Sequence, residues 1–129
     1  MEKIILMGKY PVYTKEILKI NTKIQNTNEF ISILKEKIEN DKMVKYIATF
    51  DHFSHTKDLD WEIIEWMVDW KILIFCFWHE IPSPLALAVR PRNIAVAEFA
   101  DKFVVSFLEA PKEKANDKKI SWILEHIED

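Results

Sequence analysis

Glycine is nearly missing from this chain: Gly8 is its one glycine in 129 residues, against about nine at average usage. Gly supplies the left-handed turns and close backbone approaches on which phosphate-cradling loops depend. A P-loop and a Gly-rich dinucleotide fingerprint are therefore excluded. Cysteine is equally scarce. Cys76 stands alone, which rules out an intrachain disulfide and a multi-cysteine zinc site and suits a reducing compartment. No run approaches the roughly 20 apolar residues of a membrane-spanning helix. The opening MEKIILMGK holds only four consecutive apolar residues, too few for the core of a secretion signal, so a cytoplasmic location is expected. Positive charge is not in excess either. The 18 Lys and Arg against 21 Asp and Glu leave a net charge of −3, whereas a nucleic-acid surface needs clustered, uncompensated cations.

What remains is ordinary globular composition, 49% hydrophobic and 30% charged, with five Trp. No repeat or linker interrupts it, so one domain over residues 1–129 is expected. Residues 14–21 read as a first amphipathic strand. Asn26 and Glu29 have capping-box spacing, and Phe30, Ile33, Leu34 and Ile38 give 27–40 the period of an amphipathic helix. Residues 43–50 are rich in strand formers. The run 71–78 (KILIFCFW) is apolar almost throughout, the pattern of a central strand buried on both faces. Ile94–Phe99 and Phe103–Leu108 make a hairpin about Ala100-Asp101, and a last helix near 117–128 carries Ile120, Ile123, Leu124 and Ile127 on one stripe. The order β-α-β-α-β-β-β-α predicts an α+β fold with helices packed on a mixed five-stranded sheet.

Segment 59–70 (LDWEIIEWMVDW) carries more apolar surface than one helix face can bury. On a helical wheel Glu62, Glu65 and Asp69 fall within roughly 60°, and the other positions from Trp61 to Trp70 spread over roughly 220°. A core-facing stripe needs only about 100°. Ile63, Trp66 and Trp70 are left facing away from the core, and Trp122 lies nearly opposite the Ile120–Ile127 stripe. A loop or the N-terminal arm (Ile4, Ile5, Leu6) could cover the surplus, a partner protein or second copy could, or the Trp side chains could line a small-molecule pocket.

The polar constellations each have a bland reading beside the functional one. His52 and His55 share a helical face and with Asp51 could hold a metal, or Asp51 could simply cap the turn. Cys76 and His79 are both nucleophilic-dyad residue types, but three residues along a strand places them on opposite faces about 10 Å apart. Arg90 and Arg92 flank Pro91 and, if extended, point the same way. They could clamp a carboxylate or phosphate or pair with Glu98 or Glu109.

The runs TFDHFSHT (49–56) and KILIFCFWHEIP (71–82), together with IATFDH, LAVRPR and FVVSFLEAP, resemble two related uncharacterised bacterial families of unknown function. The match spans Asn26 to Pro111, about two-thirds of the chain. It implies a compact α+β domain, often dimeric, with no established activity to carry over. Trp61, Trp66, Met67 and Trp70 stand where the closer family is mostly polar. Trp78 and Ala95 stand where it carries Gly, and Leu85 and Ala86 replace a more polar or larger pair. A binding surface built on a stable scaffold, by divergence or by engineering, accounts for that cluster.

The expected function is accordingly a non-enzymatic protein-binding domain without cofactor. Its expected contacts are Trp61, Ile63, Trp66, Met67, Trp70, Trp78, His79 and Leu85, on the Trp-rich helix and in 78–87. Trp66 and Trp70 would be hot spots worth about 2 kcal/mol or more each, and His79 a polar rim contact. The partner would be a foreign protein or a second copy, with neither nucleic acid nor membrane involved. The alternative is a small-ligand, anion or metal-binding protein using His52, His55, Arg90 and Arg92.

Overall fold

The computed structural model describes residues 1–59, 67–77 and 83–125, the side chains of His55 and Asp58 excepted. Six strands form one antiparallel sheet: β1 (Glu2–Leu6), β2 (Tyr10–Leu18), β3 (Val44–Phe50), β4 (Met67–Phe77), β5 (Arg92–Phe99) and β6 (Lys102–Leu108), in the order β1-β2-β6-β5-β4-β3. Three α-helices accompany it: α1 (Thr27–Glu39), α2 (His52–Asp58) and α3 (Glu113–Leu124), with 3-10 segments at Lys19–Asn21 and Pro84–Val89. The α+β class holds. The sheet has six strands rather than five, and every pairing is antiparallel rather than mixed.

The additional strand comes from the N-terminus. Of the expected strand at 14–21, residues 14–18 are the later part of β2 while Lys19–Asn21 form a 3-10 segment, and Glu2–Leu6 pair back on the first half of β2 as β1. Gly8 makes that hairpin turn, with φ of 70° beside Met7 at 54°. No atom lies where a Gly8 side chain would begin, so backbone conformation alone selects glycine there. β1 occupies the edge of the sheet opposite β3. Ile4, Ile5 and Leu6 stay 40–56% exposed and cover nothing near β4.

Alternation along the strands sorts side chains to two faces. Leu73, Phe75 and Phe77 of β4, Ile94 and Val96 of β5, and Phe103, Val105 and Phe107 of β6 are buried beneath α1 and α3. Helix α1 forms as its capping box requires. Asn26 Oδ1 accepts from Glu29 N at 2.9 Å, while Glu29 Oε2 accepts from Gln25 N, one residue earlier than in the standard reciprocal pair. Its stripe of Phe30, Ile31, Leu34 and Ile38 is buried, with Phe30 edge-on to Phe103. Glu98 fixes the helix start. Its Oε1 accepts from Thr27 N and Oγ1, and its Oε2 accepts from Lys19 Nζ at 2.7 Å. Burial would raise this carboxyl's pKa, but the Lys19 and Thr27 hydrogen bonds hold it below its ordinary value.

Several expectations need correction. Residues 67–70 belong to β4 and not to a helix; 60–66 lie outside the described residues. Apolar runs with aromatic and β-branched members suit either element, and here pairing with β5 from Met67 onward decides for strand. β4 lies next to an edge strand and is buried on one face. Ile72, Ile74 and Cys76 on the other face are half-buried. Trp122 points inward: it is 7% exposed, edge-on to Phe75 and stacked at 6.0 Å on Phe77. The buried stripe of α3 is Ala115, Lys119, Trp122 and Ile123, and a lysine at its centre disguises it.

Trp122→Ala should therefore cost about 3–5 kcal/mol in urea denaturation. An outward-facing side chain would change stability by no more than about 0.5 kcal/mol, and such a result would refute this placement.

Candidate functional site

The sheet face turned away from α1 and α3 is apolar at its centre. Val104, Ala97 and Trp70 lie side by side across β6, β5 and β4, and Ser106, Ala95 and Ile72 form the neighbouring row. Small side chains on β5 between larger ones on β4 leave a depression of about 470 Å3, walled by Met67, Trp70 and the His52 and Thr56 edge of α2. Among the described residues, α2 is the helix packed on this face.

Asp51 starts α2 by accepting from Ser54 N through Oδ1 and from Ser54 Oγ through Oδ2, both at 3.0 Å. The Ser54 amide bond is the chief reason its carboxyl stays below the usual range. This is the capping role, and it leaves Asp51 turned to its own helix. Trp70 Nε1 donates to His52 Nδ1 at 2.7 Å. An indole N–H can only donate, so Nδ1 is unprotonated and neutral His52 is the Nε2–H tautomer. The Thr56 hydroxyl lies 2.9 Å from both that nitrogen and the His52 carbonyl oxygen. Trp70 also meets the Phe53 ring edge-on at 4.9 Å. Trp70 is thus a fixed wall of the depression and not a free projecting anchor.

Met67 and Trp70 meet at this depression. Leu85 does not: 82% exposed, it lines a second cleft with Phe77, roughly 23 Å from Trp70 along β4 at strand rise. Trp61, Ile63, Trp66, Trp78 and His79 lie outside the described residues. No group of three His, Cys, Asp or Glu able to hold a metal occurs among the described residues. Cys76 Sγ is 3.5 Å from the Phe77 carbonyl oxygen.

The second cleft, of about 380 Å3, does bring Arg90 and Arg92 together, across a cis Arg90–Pro91 bond. Neither pairs with Glu98 or Glu109 as one expectation had it. Glu98 holds Lys19, and Glu109 Oε2 lies 3.0 Å from Lys3 Nζ. Arg92 instead turns inward. Its Nη1 donates to Val89 O, and its Nη2 donates to Leu108 O and Glu109 O, at 2.9–3.0 Å. Behind it, Lys119 is fully buried, its Nζ 4.2 Å from the centre of the Phe107 ring and 3.5 Å from Leu108 O. Burial first, and the Arg92 charge second, depress this amine to about 7. Sequence reasoning missed Lys119. The signal was its position, four residues after Ala115 and four before Ile123.

Residues 1–128 match a family described as a family of unknown function (DUF6858). No curated protein matches the chain. Its fold is similar to the crystal structure of uncharacterized conserved protein DUF302 from Bacillus stearothermophilus. The two share a TM-score of 0.54 at 14% identity, over 85% of this chain and 80% of that one. No helix among the described residues is long and apolar enough to cross a membrane.

Between pH about 7 and 10.5 the unfolded Lys119 holds a proton that the folded one does not, so stability must rise with pH across that window. Lys3 and Tyr13, grouped with Glu109, are both shifted upward and titrate above most of it. Thermal unfolding should show that rise, and Lys119→Met should remove it while raising stability at pH 7. A slope unchanged in the variant would contradict the depressed amine.

Proposed function

Because the chain belongs to the DUF6858 family of unknown function, its role has to be read from its own geometry, and we propose that it is a non-enzymatic binding domain taking a small, neutral, largely apolar ligand on the open sheet face. The supporting observation is the depression of about 470 Å3 floored by Ala95, Ala97 and Ser106, within the usual size of small-molecule sites at roughly 300–1,000 Å3. Trp70 and Ile72 offer flat and branched apolar walls, and Ser106, Thr56 and His52 offer a few polar atoms to orient a ligand. On this reading the aromatic departures are divergence within the family, and an engineered origin is not required.

A protein-binding role is the second reading. The edge of the same face favours it: Ile4, Leu6 and Leu108 remain 40–48% exposed, and Ile4, Val12 and Leu108 lie in one row. A second copy or another protein could lie across that row.

The two readings separate in a titration with 1-naphthalenemethanol, a neutral bicyclic aromatic, followed by methyl NMR. Saturable shifts confined to Ala95, Ala97, Val104 and Ile72, at least tenfold weaker in affinity in Ala97→Phe, are expected. Shifts at Ile4, Leu6 and Leu108 that grow with protein concentration, without probe, would favour association instead. Binding unaffected by Ala97→Phe would overturn the ligand reading.

A further inference from the structure

The second cleft lies at the other end of β4, between the 3-10 segment Pro84–Val89, Phe77 and the first half of α3. Its walls include Phe77, Leu85, Val89 and Ala115; its polar members include the cations Arg90, Arg92 and Lys112, and among the described residues no acidic one lines it. Arg92 and Lys119 take part in no ion pair with a carboxylate within 4.0 Å among the described residues. Arg92 spends three hydrogen bonds on neutral carbonyl oxygens, and its Nε is buried without any partner. Lys119, fully buried behind it, has among the described residues only the Phe107 ring and a long contact to Leu108 O.

Burying cations away from both water and anions is costly, and native structures pair them. Elsewhere this chain obeys that rule: buried Glu98 has all its acceptors engaged. Glu109, whose backbone carbonyl receives Arg92, directs its carboxylate to Lys3. Among the described residues the Arg92–Lys119 pair has no counter-charge, at the wall of an open cleft.

We propose that this cleft binds an apolar molecule carrying a single carboxylate, with the carboxylate beside Arg92 and the hydrocarbon part along Phe77, Leu85, Val89 and Ala115. The three carbonyls fix the guanidinium in place, so its charge and the remaining Nη1 hydrogen offer a carboxylate a single-point contact without further ordering of the side chain. The hydrocarbon walls of Phe77, Leu85, Val89 and Ala115 suit an apolar tail, which inorganic phosphate lacks. The amine of Lys119, depressed by burial and by the Arg92 charge, fits the same reading. The site is separate from the open-face depression and stands independently of the function proposed for it.

The test is titration with 4-phenylbutyrate, with neutral 4-phenylbutanol and with inorganic phosphate, followed by methyl shifts of Leu85, Val89 and Ala115. Phenylbutyrate should bind with saturable shifts there, at least tenfold more tightly than the alcohol, while phosphate alone should give none. Arg92→Met should abolish binding, but it orphans three carbonyls and could impair folding. Leu85→Glu, at an exposed position, is the second variant; it should weaken phenylbutyrate at least fivefold with the melting temperature unchanged. Equal affinity for acid and alcohol, phosphate binding as tight as the acid, or a Leu85→Glu variant with undiminished binding would each overturn the proposal. Shifts at Ala97 with none at Leu85, Val89 and Ala115 would overturn it as well, since the acid would then occupy the open-face depression.

Discussion

One-sided packing governs this molecule. Both long helices lie on the same face of the sheet, so alternate residues of β4, β5 and β6 meet two different environments. The covered face takes Leu73, Phe75, Val96, Phe103 and Val105 into a close-packed layer with Phe30, Leu34, Trp122 and Ile123, where burial of apolar area dominates stability. The other face keeps apolar residues too, yet holds them half-buried, and small ones at its centre create a depression. Whatever the domain binds there, the location follows from where α1 and α3 do not go.

The same asymmetry explains which elements were legible. Asn26 with Glu29 marked the start of α1 because a cap is a local interaction with a fixed spacing. The Phe103–Leu108 hairpin partner was equally plain from its alternation. The length of β4 was not legible, since WMVDW satisfies a helical and an extended pattern alike, and pairing with Phe99 and Ala97 is a long-range fact. Trp122 was misplaced for another reason. Counting Lys119 as polar shifted the apparent stripe of α3 by about a quarter of a turn, when that lysine was itself in the core.

Of the candidate site, chemistry was legible and geometry was not. Arg90 and Arg92 do share one cleft, but the guanidinium of Arg92 is committed to backbone carbonyls, and no sequence pattern reveals which carbonyls a turn will present. His52 joins no metal-holding group among the described residues and instead accepts from Trp70, a partner eighteen positions on. The contrast between Glu98 and the Arg92–Lys119 pair is informative in the same way. One buried charge is fully satisfied by the chain and anchors α1. Buried Lys119 and half-buried Arg92 have no carboxylate partner among the described residues, which is the observation behind the proposed acid site.

The central claim is that the sheet has one sealed and one accessible apolar face. Methyl NMR with a soluble neutral paramagnetic agent reads this residue by residue. The account predicts strong broadening of Ala95, Ala97, Val104, Ile72 and Ile74 methyls, alternating along each strand with unbroadened Ile94, Val96, Val105 and Leu73. Equal protection of both sets would mean that the open face is covered in the free protein, and would contradict it.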